Sequence, residues 1–410
     1  MFEPRNEFFG SRNAIIIEMS SKIKSLLAGA LLMGSFSALY FALPPLTATI
    51  YDSSTATGAV KSTSTSSSNV TEKPKEPEIV VTHIKTPEPL KALYMTSWVA
   101  GEKKWRDSIV RIIDETELNA IVIDVKDYSG GISFKVSNPV LDTIGAQENR
   151  IPDVKKFIHE LHQKGIYVIA RISVFQDPKL VKARPELAVK RASDGTPWKD
   201  YKGISWIDAG ARDAWEYTAE IGKESYAVGF DELNFDYIRF PSDGNMKDIA
   251  YPWSGKRAKA DVLEEFFTYL HDALVSTGAV LSADLFGMTT TNTDDLNIGQ
   301  VLERATAHFD YVAPMVYPSH YPPKFNGYPN PNLVPYDVVK FSLDRAVARM
   351  NAASTSPQKI RPWLQDFQYG GTYGPKEVRA QIQATYDAGL TSWMLWDPAV
   401  RYTRAALNTE

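Results

Sequence analysis

The chain contains no cysteine, which excludes disulfides, thiolate metal ligands and cysteine nucleophiles while leaving the compartment open. It also lacks a basic excess: 45 lysines and arginines stand against 49 aspartates and glutamates, for a net charge of -4. A surface built to track phosphates is therefore not expected, and nucleic acid is excluded as a partner. His-Glu-x-x-His, a nucleophile elbow and a phosphate loop are missing as well. His159 and His162 sit three apart on a candidate helix, but a helix between barrel strands lies on the outer ring, so neither a metal nor any other cofactor is expected.

What is present begins with a targeting pattern. A short basic run at Lys22 and Lys24 precedes Ser25 to Leu46, an almost uncharged stretch about as long as a bilayer is thick. Residues 1–48 are expected to be a signal peptide or signal anchor, with an uncleaved anchor favoured because no clean small-x-small cleavage site follows. Residues 49–90 are rich in Ser, Thr and then Pro, Glu and Lys, as around Lys73 to Pro77, a composition that cannot bury a core. They are expected to be a flexible tether, which puts the remaining chain outside the cytoplasm, membrane-anchored or secreted.

From Leu90 onward strand-like apolar runs alternate with amphipathic stretches. The expected strands are 92–98, 119–127, 166–175, 229–240, 280–287, 309–318, 359–367 and 391–397. The expected helices are 105–117, 152–164, 212–227, 258–277, 297–308, 336–351, 375–388 and 399–407. Eight such units within 91–410 give an α/β fold, a (β/α)8 TIM barrel. A doubly wound sheet is the alternative, but no glycine-rich phosphate turn follows the first strand.

Active sites of such barrels sit at the C-terminal ends of the strands. Along the fourth strand Glu232, Asn234 and Asp236 share one face, and Asp231, Leu233 and Phe235 the other. Asp236 stands at the exit end, Asp231 is expected to be structural, and Glu232 is expected to pair with Arg171 on the third strand. Asp124 and Lys126 are expected to share an inward face on the second strand. Asp284 ends the fifth, where it forms a candidate acid/base pair with Asp236. Tyr317 and His320 follow the sixth strand, and Gln365 and Asp366 end the seventh. On the eighth, either Trp396 or Trp393 with Asp397 faces inward. Aromatics make up 11% of the chain, and those in the loops, Trp198, Tyr201, Trp206, Tyr321, Phe325 and Tyr328, suit a cleft that stacks on sugar rings.

The runs Ile123 to Asp127, Arg171 to Pro178, Trp198 to Gly203, Gly229 to Gly244 and Pro314 to Tyr321 occur in order and closely resemble the bacterial putative glycoside hydrolase TIM-barrel family, often placed near the α-amylase superfamily. The resemblance covers about 90–407. It implies a glycosidase acting on a polysaccharide or oligosaccharide, without supplying the sugar. In the amylase pattern the fourth strand bears Arg-x-Asp and the fifth a glutamate; here Asn234 precedes Asp236, and Asp284 stands where the glutamate is expected. On this footing Asp236 is the candidate nucleophile or base and Asp284 the candidate acid. Asp124, Lys126, Arg171, Asn234, Arg239, Tyr317, His320, Gln365 and Trp396 are the candidate substrate-binding residues. Arg171 or Lys126 is expected to hold Asp236 charged. A carboxyl separation of about 5–5.5 Å implies retention and about 6.5–9.5 Å inversion. The rival from another class is a tethered, non-catalytic carbohydrate-binding barrel that uses Trp198, Trp206, Tyr317 and Trp396. A polysaccharide deacetylase is a third reading, disfavoured by the placement of the histidines.

Overall fold

Strands buried on both faces need apolar side chains on both, and Ala120–Lys126 and Tyr167–Ser173 are buried along their whole length. In the computed structural model, which describes residues 79–409, eight such strands run parallel and close into a barrel in sequence order. They are β1 (Lys91–Met95), β2 (Ala120–Lys126), β3 (Tyr167–Ser173), β4 (Glu232–Asp236), β5 (Val280–Phe286), β6 (Tyr311–Met315), β7 (Trp363–Gln365) and β8 (Trp393–Trp396). The expected (β/α)8 architecture is present. The anchor expected at 1–48, and the tether as far as residue 78, lie outside the described residues. Among the described residues no helix is long and apolar enough to cross a membrane.

Helices follow the strands and lay apolar stripes on the barrel. Val154–Gln163 buries Val154, Phe157, Ile158 and Leu161, the i, i+3, i+4, i+7 spacing of one helical face. Lys259–Leu274 does the same with Val262, Leu263, Phe266, Phe267, Leu270 and Leu274. Helix Arg212–Val228 stops at Gly229, whose φ of 118° only glycine adopts freely. That cap is why β4 begins at Glu232 and not at 229. At its other end Tyr237, with φ 54°, breaks the extended backbone directly after Asp236.

Three expectations are corrected. The last unit has no α-helix: after Pro398 the chain turns through Val400 at φ 56° and forms only a 3-10 turn at Arg404–Ala406. Its polar groups are satisfied elsewhere, since the Tyr402 hydroxyl donates to the Tyr94 carbonyl at 2.5 Å and accepts from the Tyr94 N–H at 3.0 Å. The helix expected from 297 starts at Leu302, because Asn297 and Gly299 carry positive φ. Part of the supposed tether is also ordered. The Ile84 N–H donates to Asp231 at 2.8 Å, His83 stacks on Tyr226 at 3.8 Å, and Leu90 is fully buried.

Candidate active site

Neighbouring strands hold the polar residues in register. Arg171 lies beside Asn234 and Ser173 beside Asp236 across β3 and β4, while Asn234 lies beside Ser282 across β4 and β5. Inward-facing positions on these strands therefore stack at one level, and Arg171 becomes the hub. Its Nη1 donates to Asp124 at 2.6 Å, its Nη2 to Asp236, and its Nε stands 3.7 Å from Asp284 Oδ2. A buried guanidinium with this fork geometry organises several carboxylates at once.

The two candidate catalytic carboxyls differ in their surroundings. Asp236 is doubly engaged, by Arg171 on Oδ2 and by the Tyr237 N–H on Oδ1 at 2.6 Å. Asp284 accepts on Oδ1 only, from Asn234 Nδ2 at 3.0 Å and Trp363 Nε1 at 2.8 Å. Its Oδ2 has no hydrogen-bond partner among the described residues. Burial, reinforced by the charge of Asp236, pushes the Asp284 carboxyl up to about 8. Both line a cavity of about 430 Å³, together with Arg171, Arg239, Tyr317, His320, Trp363 and Trp396. A second cavity, of about 1070 Å³, shares Tyr317, His320 and Trp396 with the first. The two adjoin at these three side chains, beyond the C-terminal ends of the strands.

The aromatic floor resolves the ambiguity on β8 in favour of Trp396. Its ring stacks on Tyr94 at 3.8 Å and meets Trp363 edge-on at 5.5 Å, and the Arg171 guanidinium sits 4.8 Å from it. Trp393 is buried and donates to the Tyr386 hydroxyl at 3.0 Å. Tyr317 and His320 are in edge contact at 5.3 Å, and burial lowers the His320 pKa.

Other expected members stand apart from the cavity. A bulge after Asp124 shifts the register, so Lys126 pairs with Ile172 and not with the inward Arg171 or Ser173. One extra residue turns a side chain to the other face; Lys126 bonds outward to Asp177 at 2.8 Å and cannot hold Asp236. Glu232 is paired with Arg361 at 2.8 Å, not with Arg171. Gln365 is buried, and its Oε1 accepts from the Ser319 N–H at 3.1 Å, anchoring the loop after β6. Asp124 and Asn234 lie behind the cavity wall and orient Arg171 and Asp284. Trp198 and Trp206 are packed inside their loop, donating to Asn245 O and Asp200 Oδ2, and offer no open stacking face. Asp231 is structural, accepting from the Val168 N–H at 2.9 Å and contacting His162 at 2.9 Å.

Several site residues escaped the sequence reading, among them Tyr94, whose hydroxyl donates to Asp124 at 2.5 Å, Trp363, Phe286 and Met315. Tyr94 and Phe286 were reachable by strand alternation from Ala92 and Asp284. Trp363 was not, because a tryptophan in an apolar run has no feature that separates a hydrogen-bond donor from core.

A family model described as a putative glycosyl hydrolase domain matches residues 92–402. Among solved structures, a hypothetical protein from Ruminiclostridium thermocellum is 38% identical over 47% of this chain and 96% of its own, with a TM-score of 0.43. The PgaB (BpsB) glycoside hydrolase domain from Bordetella bronchiseptica is 13% identical over 78% of this chain and 99% of its own, with a TM-score of 0.56, a likeness of fold. No protein of curated function matches the chain.

Proposed function

The chain belongs to this putative glycosyl hydrolase domain family, and from that premise we propose that it hydrolyses an O-glycosyl bond in a polysaccharide or cell-surface glycan. Asp284 gives its proton to the leaving oxygen. Asp236 acts at the anomeric carbon, directly as nucleophile or through a water as base. The observation that carries this is the contrast between the two carboxyls: one is ion-paired on one oxygen and hydrogen-bonded to a backbone N–H on the other, and the second is held on one oxygen only, with its pKa raised to about 8. Glycosidases need such a divided pair, an acid that keeps its proton at neutral pH beside a carboxylate that has lost it.

The surroundings support the same reading. Trp396, braced by Tyr94 and Trp363, offers a flat apolar floor for a sugar ring. The shared walls of the two cavities leave room for more than one sugar unit, which suits a polymer. Placement of the domain outside the cytoplasm belongs to the proposal as well, supported by the uncharged run from Ser25 to Leu46 behind Lys22 and Lys24.

The test is release of reducing ends from α-glucans, β-glucans, amino-sugar polymers and peptidoglycan. Release from at least one is expected. Measurable binding without release from any of them contradicts hydrolysis and leaves a carbohydrate-binding barrel.

A further inference from the structure

Five lysine or arginine residues are buried as whole residues among the described ones: Arg106, Lys126, Arg171, Arg239 and Arg361. Four meet a carboxylate, Arg106 at Asp153, Lys126 at Asp177, Arg171 at Asp124 and Asp236, and Arg361 at Glu232. Arg239, 7% exposed, meets none among the described residues. Its Nη1 donates to the Phe240 carbonyl at 3.0 Å and to Ser242 Oγ at 3.1 Å, and those are its hydrogen bonds. A buried cation without a counter-ion is costly to keep, and this one lines the cavity that holds Asp236 and Asp284.

The surroundings of Arg239 limit what its free edge can meet. Trp206 and Phe286 each lie 4.7 Å from the guanidinium carbon and Tyr237 lies 5.5 Å away, so aromatic rings occupy the surroundings of the planar group. Its Nε and Nη2 have no protein partner among the described residues. Neither nitrogen is sealed from solvent, in contrast to the unpaired Nε of Arg106, Arg171 and Arg361. The nearby carboxylates act on it only through space: Asp236 is bonded to Arg171, Asp200 to Gln176 and Trp206, and the exposed Asp243 makes no ion pair with it. What remains is a pair of unpartnered in-plane donors on a side chain that lines the cavity, the geometry that takes a carboxylate in a two-point fork.

We infer that Arg239 is the recognition point for a carboxylate carried by the glycan, so that the substrate is an acidic, uronate-type polysaccharide. This rests on the proposed glycosidase reading of the same cavity and names its substrate class. The aromatic packing holds the guanidinium in place before the ligand arrives, which lowers the ordering cost of binding.

The test is calorimetric binding of hyaluronate and polygalacturonate hexasaccharides, each beside its carboxyl-reduced counterpart, to the full chain carrying Asp236→Asn. At least one acidic hexasaccharide is expected to bind at least about tenfold more tightly than its reduced form. Adding Arg239→Gln removes that preference, so that acidic and reduced forms bind alike; Arg239→Lys, which keeps the charge and loses the fork, retains part of it. Equal binding of every acidic and reduced pair, no binding of any acidic hexasaccharide, or a preference that survives in Arg239→Gln overturns the inference. Thermal melts of each variant establish that it is folded. The two proposals fail separately. An acidic hexasaccharide bound through Arg239 but never cleaved by the unmutated chain supports the subsite and contradicts hydrolysis. Cleavage of acidic and reduced forms with equal kcat/KM overturns the subsite and leaves hydrolysis standing.

Discussion

At the residue scale, the proposed chemistry depends on Asp284 keeping a proton that an aspartate ordinarily loses near 3.8. Because its folded pKa is raised to about 8, the folded chain holds a proton that the unfolded chain releases across the interval between. The stability it contributes is full below about pH 4 and is lost as pH rises through about 8. Denaturation midpoints measured across that interval should fall with pH in the wild type and fall less steeply in Asp284→Asn; identical slopes contradict the assignment. Turnover should decline above about pH 8 for the same reason, as the acid ionises. Single residues were also where the sequence was least informative. Alternation along β4 placed Asp236 correctly, but the partner of Glu232 is Arg361, 129 residues away in sequence, and no local pattern reports a contact across the barrel.

At the element scale, strand ends decide which side chains reach the cavity. The bulge in β2 turns Lys126 outward onto Asp177, and a bulge of one residue leaves no mark in an apolar run such as Ala120–Lys126. Lys126→Met would strand the buried Asp177 carboxylate and should cost about 3–5 kcal/mol of stability, read as a lower denaturation midpoint, with KM unchanged. A raised KM in a variant of normal stability would instead return Lys126 to the cavity. Strand and helix identities were legible because apolar runs and 3.6-residue spacing come from burial itself. Their ends were less so. Gly229 belongs to the cap of the preceding helix, and the positive φ of Tyr237 and Val400 is not announced by those residue types.

At the scale of the whole molecule, the barrel closes where β8 meets β1, and the C-terminal segment that replaces the eighth helix fastens that seam. Tyr402 satisfies both backbone groups of Tyr94, while Tyr94 in turn braces Asp124 and Trp396. Tyr402→Phe leaves a buried N–H and a buried carbonyl unpaired and should lower stability by about 1–3 kcal/mol, measured by chemical denaturation, with a fall in kcat through the loosened Tyr94. An unchanged midpoint would show that the seam does not depend on this contact. The eight strands were legible in sequence order, and with them the strand-end placement of Asp236 and Asp284, both of which line the cavity. What stayed hidden was the closure, since nothing in a run ending Asp397-Pro398 tells a helix from a strap. The central claim, that the two strand-end carboxyls cleave a glycosidic bond, is tested most directly by reducing-end release from the responsive polysaccharide, with wild type and folded Asp236→Asn side by side. A loss of at least about a thousandfold in kcat is expected; near-normal turnover in that variant would contradict it.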